Sequence, residues 1–266
     1  MDDFNTIVNI SYSILENKNL EYQISKRLIS KVFEEDNNNT FETTYLRLTV
    51  IDSFYATQMS KRLYGMYDLA NTLAEKSDKE WIGIAKSFIF NPEDENNDIA
   101  VLMKQTFGFE KDAKNKKRAI SLISKYFYFL TKYKFPIFDS LASEAIKKLV
   151  KAKIIDEISI NESNYFEKII HLKKKYEIDS FNKLDNCLWL LGKIGKGSIS
   201  SLLTKKEYED LLKVIEVKFD DKGTKTRDEY IKEKIFNNLD KLESAFMGNK
   251  LFELLKRYKE NININH

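Results

Sequence analysis

Residues 118–149 read RAISLISKYFYFLTKYKFPIFDSLASEAIKKL, the most informative segment of the chain. Ala119–Leu130 is a nearly continuous apolar and aromatic run with the length of a buried helix. The segment Lys134-Phe135-Pro136-Ile137-Phe138-Asp139-Ser140 breaks that helix and opens another, from Leu141 to about Lys153. Its last turns carry Lys147, Lys148, Lys151 and Lys153, where the helix dipole favours cations. One lysine, Lys125, sits inside the apolar run, and Asp139 follows at the start of the next helix. A cation and a carboxylate are thus expected to face one another across a loop.

Helical spacing extends in both directions from this pair. Between Tyr45 and Lys76, residues such as Val50, Ile51, Phe54, Met59, Leu63 and Met66 recur every three or four positions, with a break expected near Gly65. A helix over about 80–90 stops at Asn91-Pro92 and the acidic loop 93–98, and a short one over Ile99–Gln105 ends at Gly108. Downstream, Asn164–Tyr176 and Phe181–Lys193 are amphipathic. Gly192, Gly195 and Gly197 among serines read as a flexible linker, and Lys205–Lys218 and Arg227–Tyr258 read as charged helical segments. The spacing predicts an all-α chain with a helical body over 1–195 and a helical C-terminal appendage over 196–266.

Composition narrows the function classes. With 8 Gly and 2 Pro in 266 residues, an all-β sandwich with its frequent turns is excluded. The glycine motifs of dinucleotide-binding and P-loop folds are absent. A single cysteine, Cys187, rules out an internal disulfide framework, and with only His171 and His266 beside it no metal site is expected, and no cofactor. The N-terminal twenty residues lack a basic, apolar signal pattern, and no apolar run is long enough to span a membrane. A cytoplasmic setting is the expectation. Net charge is only +3, so a nucleic-acid partner must be argued from where the charges lie. Five basic residues, Lys111, Lys114, Lys116, Lys117 and Arg118, crowd into 110–118 just before the apolar helix.

Pro136-Ile137-Phe138-Asp139-Ser140 resembles the Pro-x-x-Asp loop of the helix-hairpin-helix DNA glycosylase superfamily, whose aspartate opens a helix beside the flipped nucleotide. Its context is Ile123-Ser124-Lys125-Tyr126 before it and Leu188-Trp189-Leu190-Leu191-Gly192-Lys193 after it. Together with the earlier segment Arg47–Gln58, the order is similar to that of a poorly characterised bacterial branch of the superfamily. The resemblance covers about 42–195 and implies a two-lobed helical fold that excises a damaged or modified base from double-stranded DNA. It implies Asp139 and Lys125 as catalytic residues and a base pocket from Phe54, Tyr55 and Gln58. In place of the superfamily's glycine-rich hairpin the chain has Gly108-Phe109 and the basic cluster, which would supply phosphate contacts. The superfamily's lysine lies nearer the hairpin than Lys125, roughly where Ser121 falls.

The chemistry suits these residue types. Breaking an N-glycosidic bond places positive charge on the sugar, which a carboxylate stabilises. A desolvated lysine presents a neutral amine that attacks C1′ and forms a Schiff base, giving lyase activity; otherwise water is the nucleophile. Each residue also has a plainer reading. Asp139 is a helix N-cap, Lys125 a lysine that snorkels to the surface, Gln58 a solvent-facing helix residue, and Trp189 and the aromatic stretches core. A non-catalytic DNA-binding or protein-interaction module is the alternative to an enzyme.

Overall fold

The computed structural model describes residues 2–17, 19–34, 39–109, 117–216 and 226–262. Ten helices precede Gly197 among those residues: α1 (Asp2–Leu15), α2 (Glu21–Glu34), α3 (Phe41–Tyr55), α4 (Gly65–Ala74), α5 (Asp78–Phe90), α6 (Asp98–Lys104), α7 (Ile120–Leu130), α8 (Ser140–Lys151), α9 (Tyr165–Lys175) and α10 (Phe181–Lys196). Four more follow: α11 (Lys205–Val214), α12 (Arg227–Asn237), α13 (Leu239–Ala245) and α14 (Lys250–Arg257). The described residues are therefore all-α apart from one two-stranded antiparallel pair, β1 (Thr106–Phe107) and β2 (Lys117–Arg118), in which Thr106 lies opposite Arg118. That pair joins α6 to α7, in the place where the resemblance puts a helical hairpin.

Many helix starts follow from local sequence. Thr40, Ser77, Asn97, Asp139, Ser180, Thr204, Thr226 and Asn249 each accept a backbone N–H of the first turn. Ser77, Thr204 and Thr226 form full capping boxes with Glu80, Glu207 and Glu229. Helix α7 is buried on nearly every side, from Ile120 through Leu130 with Ser121 alone half-buried, and packs against α2, α3, α5 and α6. A helix apolar all round has to be the centre of the core.

Helix α10 lies across α8 and α1. Gly192 makes the first crossing close: a Cβ there would stand 2.6 Å from both Cβ and the carbonyl oxygen of Leu141. The linker expected over Gly192–Gly197 is instead helix, because Gly192 and Gly195 serve packing. Only Gly197, at φ +84°, ends α10 in the left-handed region. Helix α14 packs on α1, Tyr258 Oη accepts a hydrogen bond from Lys148 Nζ at 2.9 Å, and Lys232 Nζ donates to the Gly195 carbonyl at 2.9 Å. No helix among the described residues is long and apolar enough to cross a membrane.

One ion pair ties α3 to α5. Arg47 is fully buried; its Nη1 donates to Asp78 Oδ1 at 2.8 Å, and its guanidinium lies 4.8 Å from the Phe33 ring centroid. Asp78→Ala leaves that guanidinium without its counter-charge, and the expected loss is about 2 kcal/mol, because Asp78 itself is partly solvated. Urea unfolding checks it; an unmoved midpoint would mean that Arg47 is held by other contacts.

Candidate active-site cleft

The loop after α7 folds back because its backbone is tied to the helices beside it. The Phe138 amide donates to Ser124 Oγ at 2.9 Å, and Tyr165 Oη donates to the Ile137 carbonyl at 2.9 Å. Asp139 therefore arrives at the N-terminus of α8 with its two oxygens divided. Oδ1 accepts the Leu141 amide at 2.7 Å, and Oδ2 lies 3.9 Å from Lys125 Nζ. The expected cation and carboxylate do face one another across the loop.

They differ in access. The Lys125 side chain is 2% exposed and that of Asp139 19%. Lys125 Nζ donates to Ser121 Oγ at 2.6 Å and lies 5.2 Å from the Tyr55 ring centroid, which covers it. The snorkelling reading of Lys125 is thereby replaced by a buried amine. Burial pushes its pKa down, and the charges of Asp139 and Asp185 oppose that fall.

Above the pair opens a cleft of about 430 Å³. Its walls are Tyr22 and Ser25 of α2, Phe54 and Tyr55 of α3, Asp139 and Leu141, and Trp189 and Lys193 of α10, with Glu21, Ser53, Ala56 and Ser201 at the edges. Tyr22 and Trp189 stack with centroids 4.4 Å apart. Burial, followed by nearby acids and tyrosines, holds the Tyr22 and Tyr55 hydroxyls well above their ordinary pKa, so both stay protonated. The site thus offers flat aromatic walls and, besides Glu21 at its edge, the Asp139 carboxylate backed by a buried amine, which is suited to holding a planar ring and stabilising positive charge beside it.

Of the residues expected in the base pocket, Phe54 and Tyr55 line the cleft and Gln58 does not. Helix α3 ends at Tyr55, and Ala56 turns the chain through the left-handed region at φ 49°. Gln58 consequently leaves the helical spacing and stands exposed at the start of the short 3-10 turn Met59–Lys61. That turn is held by Asp52, whose carboxylate accepts the Met59 and Ser60 amides at 2.8 and 3.0 Å. Trp189, read above as core, is a half-buried wall of the cleft. Of the basic cluster, Lys111, Lys114 and Lys116 lie outside the described residues, Lys117 belongs to β2, and Arg118 Nη1 pairs with Glu162 Oε1 at 2.8 Å.

Sequence reasoning passed over Tyr22, Lys26 and Asp185. Lys26 is buried, donates to Tyr128 Oη at 2.7 Å and to Asn182 Oδ1, and sits 4.7–5.7 Å from the ring centroids of Tyr22, Tyr128 and Tyr133. Burial lowers its pKa to about 8, against the opposing charges of Asp185 and Glu16. Asp185 was legible in principle, as one acid inside the run Leu184–Leu191. Comparison with protein-family models, with curated proteins and with solved structures finds no significant match to this chain, so the cleft is read from its own residues.

Proposed function

We propose that the chain is a DNA glycosylase that releases a damaged or modified base from duplex DNA, with Asp139 as the catalytic carboxylate and water as the attacking group. The observation that supports this is the partly exposed Asp139 carboxylate, which lines an aromatic cleft with the buried Lys125 amine 3.9 Å from its Oδ2. A flipped nucleotide enters with its base against the Tyr22–Trp189 stack and the Phe54 and Tyr55 rings. As the N-glycosidic bond lengthens, its electron pair leaves with the base and positive charge grows on the sugar. Asp139 stabilises that charge and takes a proton from the water whose oxygen bonds to C1′. Lys125 lies behind Asp139 as its buried counter-charge. The 2% exposure of Lys125 under Tyr55 favours water over the amine as nucleophile. Lys111, Lys114, Lys116, Lys117 and Arg118, with Lys193 at the cleft, supply phosphate contacts.

Borohydride trapping on duplexes carrying an abasic site or one of a panel of damaged bases tests the reading. Base release without a covalent adduct is expected. An adduct that disappears in Lys125→Ala would make Lys125 the nucleophile and the protein a lyase. No release from any duplex of the panel would overturn the proposal and leave a binding module.

A further inference from the structure

The C-terminal appendage meets the body beside the cleft. Ser201, in the 3-10 turn Ile199–Leu202 after α10, stands at the cleft edge, and Lys193 of α10 is part of its wall, with Nζ 5.3 Å from the Trp189 ring centroid. Beyond Lys193, two lysines from distant parts of the chain converge on Gly195. Lys148 Nζ of α8 would lie 2.7 Å from a Cβ at Gly195 and is held by Tyr258 Oη, while Lys232 Nζ of α12 donates to the Gly195 carbonyl at 2.9 Å. Lys196, the next residue, is exposed. No ion pair engages Lys148, Lys196 or Lys232 among the described residues. Carboxylates are not lacking in the local sequence. Asp228 and Glu229 precede Lys232 at the spacings of a helical ion pair, yet Glu229 caps Thr226 and Lys232 reaches across to α10. Glu144 of α8 pairs with Lys147. Like charges are thus gathered at the end of α10, where its carbonyl dipoles offset part of their repulsion. Burial and then the Lys148 charge push the Lys232 pKa down, against the charge of Glu229.

We propose that Lys148, Lys196 and Lys232 continue from Lys193 as a track for the phosphodiester backbone of DNA, so that the appendage carries part of the DNA-binding surface. The inference deepens the glycosylase reading and rests on it for the identity of the polyanion. Lys193 and Lys196 are neighbours on the surface of α10, about 4.5 Å apart along its axis, and the two lysines at Gly195 extend the line onto α8 and α12. The strand whose nucleotide occupies the cleft therefore leaves over the C-terminal end of α10. Cations without carboxylate partners meet a phosphate with no ion pair to break first. Tyr258 and the Gly195 carbonyl already hold Lys148 and Lys232 in place, so little side-chain freedom is lost when the backbone arrives.

Fluorescence anisotropy with a labelled undamaged duplex, from about 50 to about 200 mM KCl, tests this without requiring base release. The double variant Lys148→Gln with Lys232→Gln is expected to bind about tenfold more weakly and to lower the slope of log affinity against log salt by about 2. Lys148→Arg with Lys232→Arg, which keeps both charges, should restore the slope. Lys79→Gln with Lys86→Gln removes the same charge from the exposed face of α5 and should stay within about twofold of the wild type. Lys196→Glu reverses an exposed charge that makes no hydrogen bond, and its loss of affinity decides the matter if the first double variant fails to fold. An unchanged slope in the folded variants, or an equal fall in the two Gln double variants, would overturn the proposal. Base release by the wild type with unchanged slopes would remove the track and leave the glycosylase reading. Loss of slope in the variants with no base release from any damaged duplex would do the reverse, and a wild type that binds no duplex at the lowest salt would overturn both.

Discussion

Asp139→Asn is expected to lower the single-turnover rate of base release by about a thousandfold while leaving the fold intact. The two outcomes separate because the two oxygens of Asp139 have different partners. Oδ1 caps α8 through the Leu141 amide, and an asparagine oxygen caps a helix about as well as an aspartate. Oδ2 faces Lys125 and the cleft, and there asparagine has neither charge nor a site for the proton of water. Urea unfolding of Asp139→Asn should therefore show only the cost of leaving Lys125 without its counter-charge, about 1–2 kcal/mol. Asp139→Ala should lose about 1 kcal/mol more, from the cap, as well as the activity. A fully active Asp139→Asn would reduce this residue to a helix cap and remove the catalytic assignment.

Gly192→Ala is expected to cost about 2–4 kcal/mol, the largest stability loss from a single methyl group predicted for this chain. The added carbon would meet Leu141 at 2.6 Å, and one of the atoms it meets is the Leu141 carbonyl oxygen, which no rotamer change can withdraw. Helices α8 and α10 must then separate. Because Leu141 lies two residues after Asp139, their separation also shifts the Asp139 carboxylate relative to Trp189. Base release should fall even in the fraction that remains folded. Gly83→Ala is the control: nothing lies within 4 Å of its added carbon, and removal of a mid-helix glycine from α5 should stabilise by about 0.5–1 kcal/mol. Equal unfolding midpoints for the two variants would show that the α8–α10 crossing yields without cost.

The parts of the fold that were legible are those dictated locally. The helix expected over about 80–90 is α5, opened by the Ser77–Glu80 capping box, and the apolar run before Thr131 is a central buried helix. The facing of Lys125 and Asp139 was legible because one helix, one loop and one helix start place both groups. The rest depends on contacts between distant segments. Lys26 looks like a surface lysine among the charges of α2, and Tyr128, Tyr133 and Asn182, far along the chain, enclose it. Gln58 was misplaced because the turn at Ala56 is held by Asp52 through backbone amides, and helical spacing carries no sign of that. The glycines at 192 and 195 suggested flexibility, whereas each is small because another chain segment passes close by.

The lone thiol gives the molecule a built-in reporter. Cys187 lies on α10 two residues beyond Asp185, fully buried, and its thiol is pushed up to about 12 by burial, an effect that Ser11 of α1 partly opposes. A thiol so placed reacts with a disulfide reagent only when the seam between α1 and α10 parts. Its exchange rate is therefore a clock on local opening of the helix that carries Trp189, kept by the protein without any added label.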